Sequence, residues 1–381
     1  MKKGLLLLFC LLFMISLASF ADEEVSLFSM PAQTPAPVGV EGQPASPEAS
    51  PEPTQVPMLA ADGGTIITIS ALGDLTFGGD VRKSVNIFER ELKKQNGDLG
   101  FVTRNIRDLL SADDMTIVNF ETTLTNAPVP KNKQGNEFVF SAPAEYIDIL
   151  TKGSIEAVTF ENNHALDHGE KGVQDTLAAF EQAGIVWSRE DHLGIFEVHG
   201  VKIGMLAYQT FNGQYPRLMD KVPQDVQAAR QQCDILIVSY HWGAEKDYAP
   251  NNNQIALGRL TIDAGADLVL GHHSHRINPI EYYNGKYIVY SLANFSFAGN
   301  NKPSDMSSYA FQIRFNVNQG QATVQGFRIV PFRISSKTDY NDFIPTPYTA
   351  QRDIDTVINT LLANSNKKLE YAVTAYPVDW E

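Results

Sequence analysis

The sequence predicts a layered α/β sandwich forming one domain of about 300 residues, and three observations carry that prediction. From residue 65 onward, short apolar runs rich in β-branched residues alternate with amphipathic helical spacings, the pattern of parallel strands with helices outside them. Later, 309–316 and 322–333 alternate around Asn318-Gln319-Gly320, a long hairpin that adds antiparallel strands. The apolar runs also end in residues that bind metals rather than in ordinary turn formers.

In order along the chain, 65–72 is a buried apolar run that ends in Gly73-Asp74. Residues 101–110 are helical by spacing. The run 115–118 is a strand ending in Asn119-Phe120-Glu121, and 143–150 is helical. The strand 157–160 ends in Glu161-Asn162-Asn163-His164. Residues 172–183 form an amphipathic helix with Val173, Leu177 and Phe180 on one face. A hairpin over 196–198 and 202–208 turns at Gly200. A short helix over 225–231, a strand over 234–239 and a helix over 254–264 follow. Strands at 268–270 and 287–291, the long hairpin and a closing helix over 352–362 complete the pattern.

The N-terminus reads differently. Lys2 and Lys3 precede an apolar run from Leu5 to Leu17, and Ala18-Ser19-Phe20-Ala21 offers small residues for cleavage after Ala21. Residues 1–21 are therefore expected to be a signal peptide, or an uncleaved signal anchor, since the apolar stretch nearly spans a bilayer. Residues 22–64 are rich in Pro, Ala, Glu and Ser and lack Lys and Arg, so a disordered linker is expected. The domain is expected over 65–340, with a C-terminal helix and tail over 341–381 packed on it. Beyond the leader the cysteine is Cys233, so no internal disulfide supports the fold. A net charge of −14 and no basic block after Lys3 argue against nucleic acid as a partner.

Listed in order, the strand ends give Asp74, then Asn119 and Glu121, then Asn163 and His164, then His241, then His273 and His275. Open α/β sheets carry their sites at the carboxyl ends of strands. Mixed oxygen and imidazole donors suit divalent Zn, Mn or Fe, and a carboxylate between two cations can bridge them. The two-residue spacing of His273 and His275 puts both on one side of an extended segment, with His272 pointing the other way. Singly, each residue has a plainer reading. Asp74 suits a turn or cap, Asn162-Asn163 a turn, and His241 beside Trp242 a packed core position. Their shared place at strand ends weighs against those readings. His192 and His199 fall in the expected surface hairpin and are assigned no role, and His168 is read as orienting its loop.

These segments, Ala71-Leu72-Gly73-Asp74, VNFETTL (118–124), ENNHALDHGEKGVQDTLAAFEQAGI (161–185) and 240–297, resemble the CapA-type capsule-synthesis family. That family is linked to poly-γ-glutamate and related to calcineurin-like metallophosphoesterases. The resemblance covers roughly residues 66–335 and implies a four-layer αββα, metallophosphoesterase-like sandwich with a cleft for two divalent transition metals. By resemblance, Asp74, Glu121, Asn163, His241, His273 and His275 are metal ligands, Glu121 bridging. His164 is the catalytic acid near the leaving group, and Asn119, Asp167 and Asn294 are supporting residues. The wider family's histidine two residues after the first Asp is Thr76 here. Ser274 and Ala293 are smaller departures.

The N-terminal targeting segment implies an exported protein of the cell envelope, tethered or secreted, and the resemblance implies a metal-dependent hydrolase-like site acting on a phosphoester or on an anionic envelope polymer. The competing expectation is a non-catalytic protein that binds or exports that polymer with a membrane synthase as partner.

Overall fold

The computed structural model describes residues 57–81, 83–133, 138–365 and 369–380, all within the unit Gln55–Glu381. The expected leader and the Pro-rich segment up to residue 56 lie outside the described residues. In chain order the elements are β1 (Met58–Leu59), β2 (Thr65–Thr76), α1 (Ile87–Lys94), α2 (Arg107–Leu110), β3 (Met115–Phe120), β4 (Thr123–Leu124), β5 (Ser141–Ala142), α3 (Asp148–Thr151), β6 (Ala157–Thr159), α4 (Gly169–Ala183), β7 (Val186–Ser188), β8 (Gly194–Val198), β9 (Val201–Gln209), α5 (Tyr215–Arg230), β10 (Ile235–His241), α6 (Asn252–Asp263), β11 (Leu268–His272), β12 (Ile280–Tyr283), β13 (Lys286–Val289), β14 (Asn294–Phe297), β15 (Ser307–Asn318), β16 (Gln321–Arg333), β17 (Thr346–Pro347) and α7 (Gln351–Ser365).

Among the described residues the strands form two large sheets and a small β4–β5 pair. The first sheet runs β17-β16-β15-β2-β3-β6-β7, with β1 and β14 also on β2; the second runs β12-β13-β11-β10-β9-β8. The strands that end in candidate ligands are parallel within each sheet: β2, β3 and β6 in one, β10 and β11 in the other. Antiparallel strands lie toward the margins, with β15 and β16 in the first sheet and β8 and β12 in the second.

Three apolar cores define the layers. Ile67, Ile69 and Ala71 of β2 share the middle core with Ile203 and Met205 of β9, Ile235 and Ile237 of β10, and Leu268 and Leu270 of β11. Outside the first sheet, Val118, Phe120 and Val158 pack with Ile149, Val173 and Phe180 of α3 and α4. Outside the second sheet, Leu206, Val238 and Val269 pack with Leu218, Val222 and Val226 of α5 and Leu257 of α6. The order is helix, sheet, sheet, helix, the expected αββα sandwich. Strands covered on both faces are apolar throughout, which is why the polar residues at their ends stand out. Val357 and Leu361 of α7 join the middle core.

Some expectations need correction. Residues 57–64, assigned to the linker, are ordered: β1 pairs with β2, and Asp62 accepts from the Gly64 N–H and the Asn316 amide. The helix expected over 101–110 is a 3-10 turn, Leu99–Val102, capped by Asp98, followed by the short α2. The helix expected over 225–231 begins at Tyr215, because Pro216 sits in its first turn, where no N–H is needed, and Pro223 is carried inside it. Helix α1, which sequence spacing did not reveal, is capped by Asn86 accepting from the Glu89 N–H, and it buries Phe88 and Leu92.

β2 continues past Gly73, with a register shift against β3 between Leu72 and Asp74. A Cβ at residue 73 would lie 2.2 Å from the Ala293 carbonyl oxygen and 2.7 Å from that of Leu292. Only glycine lets these backbones meet, and the Asp74 N–H then donates to Ala293 O at 2.9 Å. Gly73→Ala is expected to cost about 1–3 kcal/mol through forced separation of packed backbone. Denaturant unfolding should show a lower midpoint with an unchanged slope; an unchanged midpoint would contradict this contact.

Candidate metal centre

β3 ends at Phe120, and the Glu121 N–H donates to Leu75 O at 2.8 Å, tying the two strand ends together. The Glu121 side chain is 0% exposed, and neither carboxylate oxygen has a hydrogen-bond partner among the described residues. Burial, reinforced by the charge of Asp74, lifts its carboxyl to about 7 against the pull of the nearby histidines. A fold would not ordinarily keep an unpaired carboxylate in its interior.

Two donor groups meet at this carboxylate. Asp74, Glu121 and His275 form one, and Glu121, His241 and His273 form the other, each with ligand atoms within 4.8 Å of one another. In the first, Asp74 Oδ2 lies 3.0 Å from His275 Nδ1, and its Oδ1 accepts from Asn119 Nδ2 at 2.8 Å. Asn294, in register with Asp74 on β14, brings Oδ1 to 2.9 Å from His275 Nδ1. In the second, His241 Nε2 lies 3.4 Å from Glu121 Oε1, 2.7 Å from Asn163 Oδ1 and 3.0 Å from His273 Nδ1. Asn119 Nδ2 also approaches His241 Nδ1 at 3.3 Å, linking both groups.

The electrostatics follow from burial and pairing. Burial favours a neutral Asp74, but the imidazoles of His272 and His275 beside it outweigh burial and hold the carboxyl well below the usual range. Burial drives His241 well below the ordinary imidazole value and His273 down to about 2. Burial also opposes a charged His275, yet its hydrogen bond to Asp74 and the charge of Glu121 raise it to about 9.

His164 stands beside both groups, its Nε2 4.0 Å from Glu121 Oε1. Its Nδ1 lies 2.8 Å from Asp167 Oδ2, which also accepts from the Phe140 N–H at 2.9 Å. Asp167 thereby keeps Nε2 turned toward the centre. Lys133 Nζ donates to Asp167 Oδ1 at 3.2 Å. Asn162 braces this loop: its amide donates to Asn119 Oδ1 and Phe120 O, and its Oδ1 accepts from the His164 N–H.

All the candidate residues, supporting ones included, come together. His272 overturns the reading that it points away. Its Nδ1 is buried without a hydrogen-bond partner among the described residues, 3.5 Å from Asp74 Oδ1. The extended-segment argument fails because His273 and His275 have φ of 91° and 53°. After β11 ends at His272 the chain coils, and three imidazoles converge. Thr76, two residues after Asp74, has a buried hydroxyl without a hydrogen-bond partner among the described residues. His192 stacks on Trp187, and His199 pairs with Asp114. Sequence reasoning also missed Phe211, whose ring lies 4.5 Å from that of His273 and 5.7 Å from that of His241. It follows β9 within two residues, so the rule about carboxyl ends of strands covers it too. A cavity of about 680 Å³ lined by Lys133, Asn163, Gln209 and Phe211 opens beside the second group.

The residues fit a divalent cation. A fully buried carboxylate with no hydrogen-bond partner among the described residues, a second carboxylate held ionised and two imidazoles held neutral suit the binding of a metal. At about pH 7.5, His275 carries a proton that a bound cation would displace, so uptake should release about one proton. Affinity should rise with pH toward 9 and fall below 7, where Glu121 is protonated too. Titration calorimetry with Mn(II) in two buffers of different ionisation enthalpy should give different apparent enthalpies; equal values would contradict the His275 assignment.

Comparison with known proteins gives consistent relatives. The profile of the family described as Bacterial capsule synthesis protein PGA_cap matches residues 68–298. The chain is 30% identical over 264 residues to the PGA biosynthesis protein CapA of Bacillus subtilis, covering 64% of this chain and 66% of that protein, just under two thirds. It is 26% identical over 330 residues to the capsule biosynthesis protein CapA of Bacillus anthracis, covering 79% and 74%. It is 31% identical over 219 residues to a probable polyglutamine synthesis accessory protein of Mycobacterium tuberculosis, covering 48% and 56%. Among solved structures, the calcineurin-like phosphoesterase YfkN from Bacillus subtilis superposes with a TM-score of 0.43 at 13% identity, covering 78% of this chain and 98% of that chain.

Proposed function

The chain belongs to the bacterial capsule synthesis family PGA_cap, and from that premise we propose that it is an exported envelope protein whose buried centre hydrolyses a bond in an anionic capsule polymer of the poly-γ-glutamate class. The observation that carries the reading is Glu121, a buried carboxylate without a hydrogen-bond partner among the described residues and shared by two donor groups. Asp74, Glu121 and His275 would hold one divalent cation, with His272 at hand, and Glu121, Asn163, His241 and His273 the other. When bound, such a pair supplies Lewis acidity and an activated water. The chain's own residues do the rest. His164 presents Nε2 toward the centre and delivers a proton to the leaving nitrogen or oxygen. Asp167 fixes that imidazole, and Lys133 balances the charge of Asp167. The cavity beside Asn163 receives the polymer, its lysine and carboxamides matching carboxylates and chain amides. The mycobacterial relative's description as an accessory protein supports a synthase-related partner.

Thr76 favours a second reading, in which the centre binds the polymer for export without cutting it. Incubating the Mn(II)-loaded protein with γ-linked glutamate oligomers and a panel of phosphoesters separates the two. Shortened oligomers are expected. Full metal loading with oligomer binding and no cleavage of any substrate would replace hydrolysis with the export reading. Fractionation of cells expressing the full chain should recover it outside the cytoplasm; recovery in the cytoplasm alone would remove the exported part.

A further inference from the structure

At the margin of the first sheet, far from the metal centre, two arginines share one face. Phe327 and Ile329 of β16 and Ile313 and Phe315 of β15 belong to the middle core, so the alternate positions Arg314 and Arg328 point outward. Arg328 pairs with Gln312, and Arg314 lies between Thr68 and Gly326, which makes the two arginines diagonal neighbours. Like charges so placed repel, and among the described residues neither guanidinium has an ion-pair partner to offset this. Arg314 Nε donates to Thr68 Oγ1 at 3.4 Å and Arg328 Nε to Gln312 Oε1 at 2.7 Å. Among the described residues, no carboxylate lies within ion-pair distance of either guanidinium. Asp114, whose charge acts on Arg314, has other partners: Oδ2 accepts from the Thr68 N–H at 2.7 Å, and Oδ1 lies 3.0 Å from His199 Nε2. Burial lowers both guanidinium pKa values, and the charge of Arg314 lowers Arg328 further, against the pull of Asp379.

Trp380 covers the pair. Its ring centroid lies 3.9 Å from the Arg314 guanidinium carbon and 5.2 Å from that of Arg328. The two arginines and Trp380 line a cleft of about 300 Å³ together with Met58, Leu109, Ala112 and Asp114. A chain with a net charge of −14 has here placed two ordered guanidinium groups without a carboxylate partner among the described residues.

We propose that Arg314, Arg328 and Trp380 form a second binding site, which takes the free carboxylate of an acidic chain and holds that chain away from the metal centre. Paired planar forks match a carboxylate's two oxygens. Thr68 and Asp74 are separated by six steps of β2, about 20 Å at a strand's rise, so a polymer held here could extend to the centre without occupying it. The choice of an acidic chain over other oxyanions rests on the polymer reading above; the arginine pair itself does not.

The test is an indole N–H titration. The protein has three tryptophans, and Trp380→Phe identifies the relevant resonance. Adding γ-linked glutamate oligomer to the whole protein is expected to shift that resonance. The shift should persist in Asn163→Ala/His241→Ala, whose second donor group, beside the cavity at Asn163, is disabled. In Arg314→Gln/Arg328→Gln the affinity should fall at least about tenfold, with a thermal midpoint unchanged or raised because a like-charge pair is gone. An unmoved Trp380 resonance, or an undiminished response in the double Gln variant, would overturn the site. An equal response to inorganic phosphate at equal concentration would overturn the acidic-chain assignment. A Trp380 response without turnover at the metal centre would leave this site standing while the hydrolytic reading fell.

Discussion

Glu121→Ala is expected to abolish metal binding at both positions, while His273→Ala and His275→Ala each leave one ion bound. The two histidines are close in sequence but belong to different donor groups, and Glu121 is the residue those groups share. Loss of a direct ligand should cost at least the 10–100-fold in affinity that an outer partner's loss typically does. Equilibrium dialysis against Mn(II) with elemental analysis measures it, and equal metal content in all three variants would contradict the shared-ligand arrangement. The metal-free protein should respond in the opposite direction. A buried carboxylate without a partner destabilises its fold by about 1–3 kcal/mol, so Glu121→Gln should unfold at higher denaturant than the metal-free parent at neutral pH. The sign follows from linkage. The folded state binds the Glu121 proton more tightly than the unfolded chain, so this group's contribution to stability is present below its ordinary value of 4.5 and is lost as pH rises to about 7. The gap between variant and parent should therefore open across that window.

The second large effect separates chemistry from metal holding. His164→Ala should lower turnover by about 10²–10⁴, the usual worth of a general acid, with metal content unchanged. Its Nε2 faces the centre but lies in neither donor group. Asn163→Ala should instead reduce occupancy of the group containing His241, whose Nε2 its carboxamide oxygen approaches at 2.7 Å. Asp167→Asn should resemble a milder His164→Ala, because it frees the imidazole without removing it. Full turnover by His164→Ala, on a substrate the parent cleaves, would exclude the proton-donor role.

The donors of the centre were legible because burial makes strands apolar and leaves polar side chains conspicuous at their ends. Asp74, Glu121, His241 and the 272–275 cluster all follow such runs. The layered fold was legible from the same alternation. What could not be read depended on backbone conformation and on distant partners. His272 was set aside on the assumption of an extended chain, which the positive φ of His273 and His275 breaks. β14 is a short strand whose place beside β2 depends on the absent side chain of Gly73. Helix α5 was concealed by its own prolines. Arg314, Arg328 and Trp380 are separated in sequence by strand register and by a tail, and no local pattern joins them.

Anomalous diffraction from crystals soaked in Mn(II) tests the central claim most directly. Two peaks about 3.5–4 Å apart are expected, the spacing of paired catalytic cations, lying on either side of the Glu121 carboxylate. One should sit against Asp74 and His275, the other against Asn163, His241 and His273. No peak at Glu121, or Mn(II) bound only at surface carboxylates, would contradict the account.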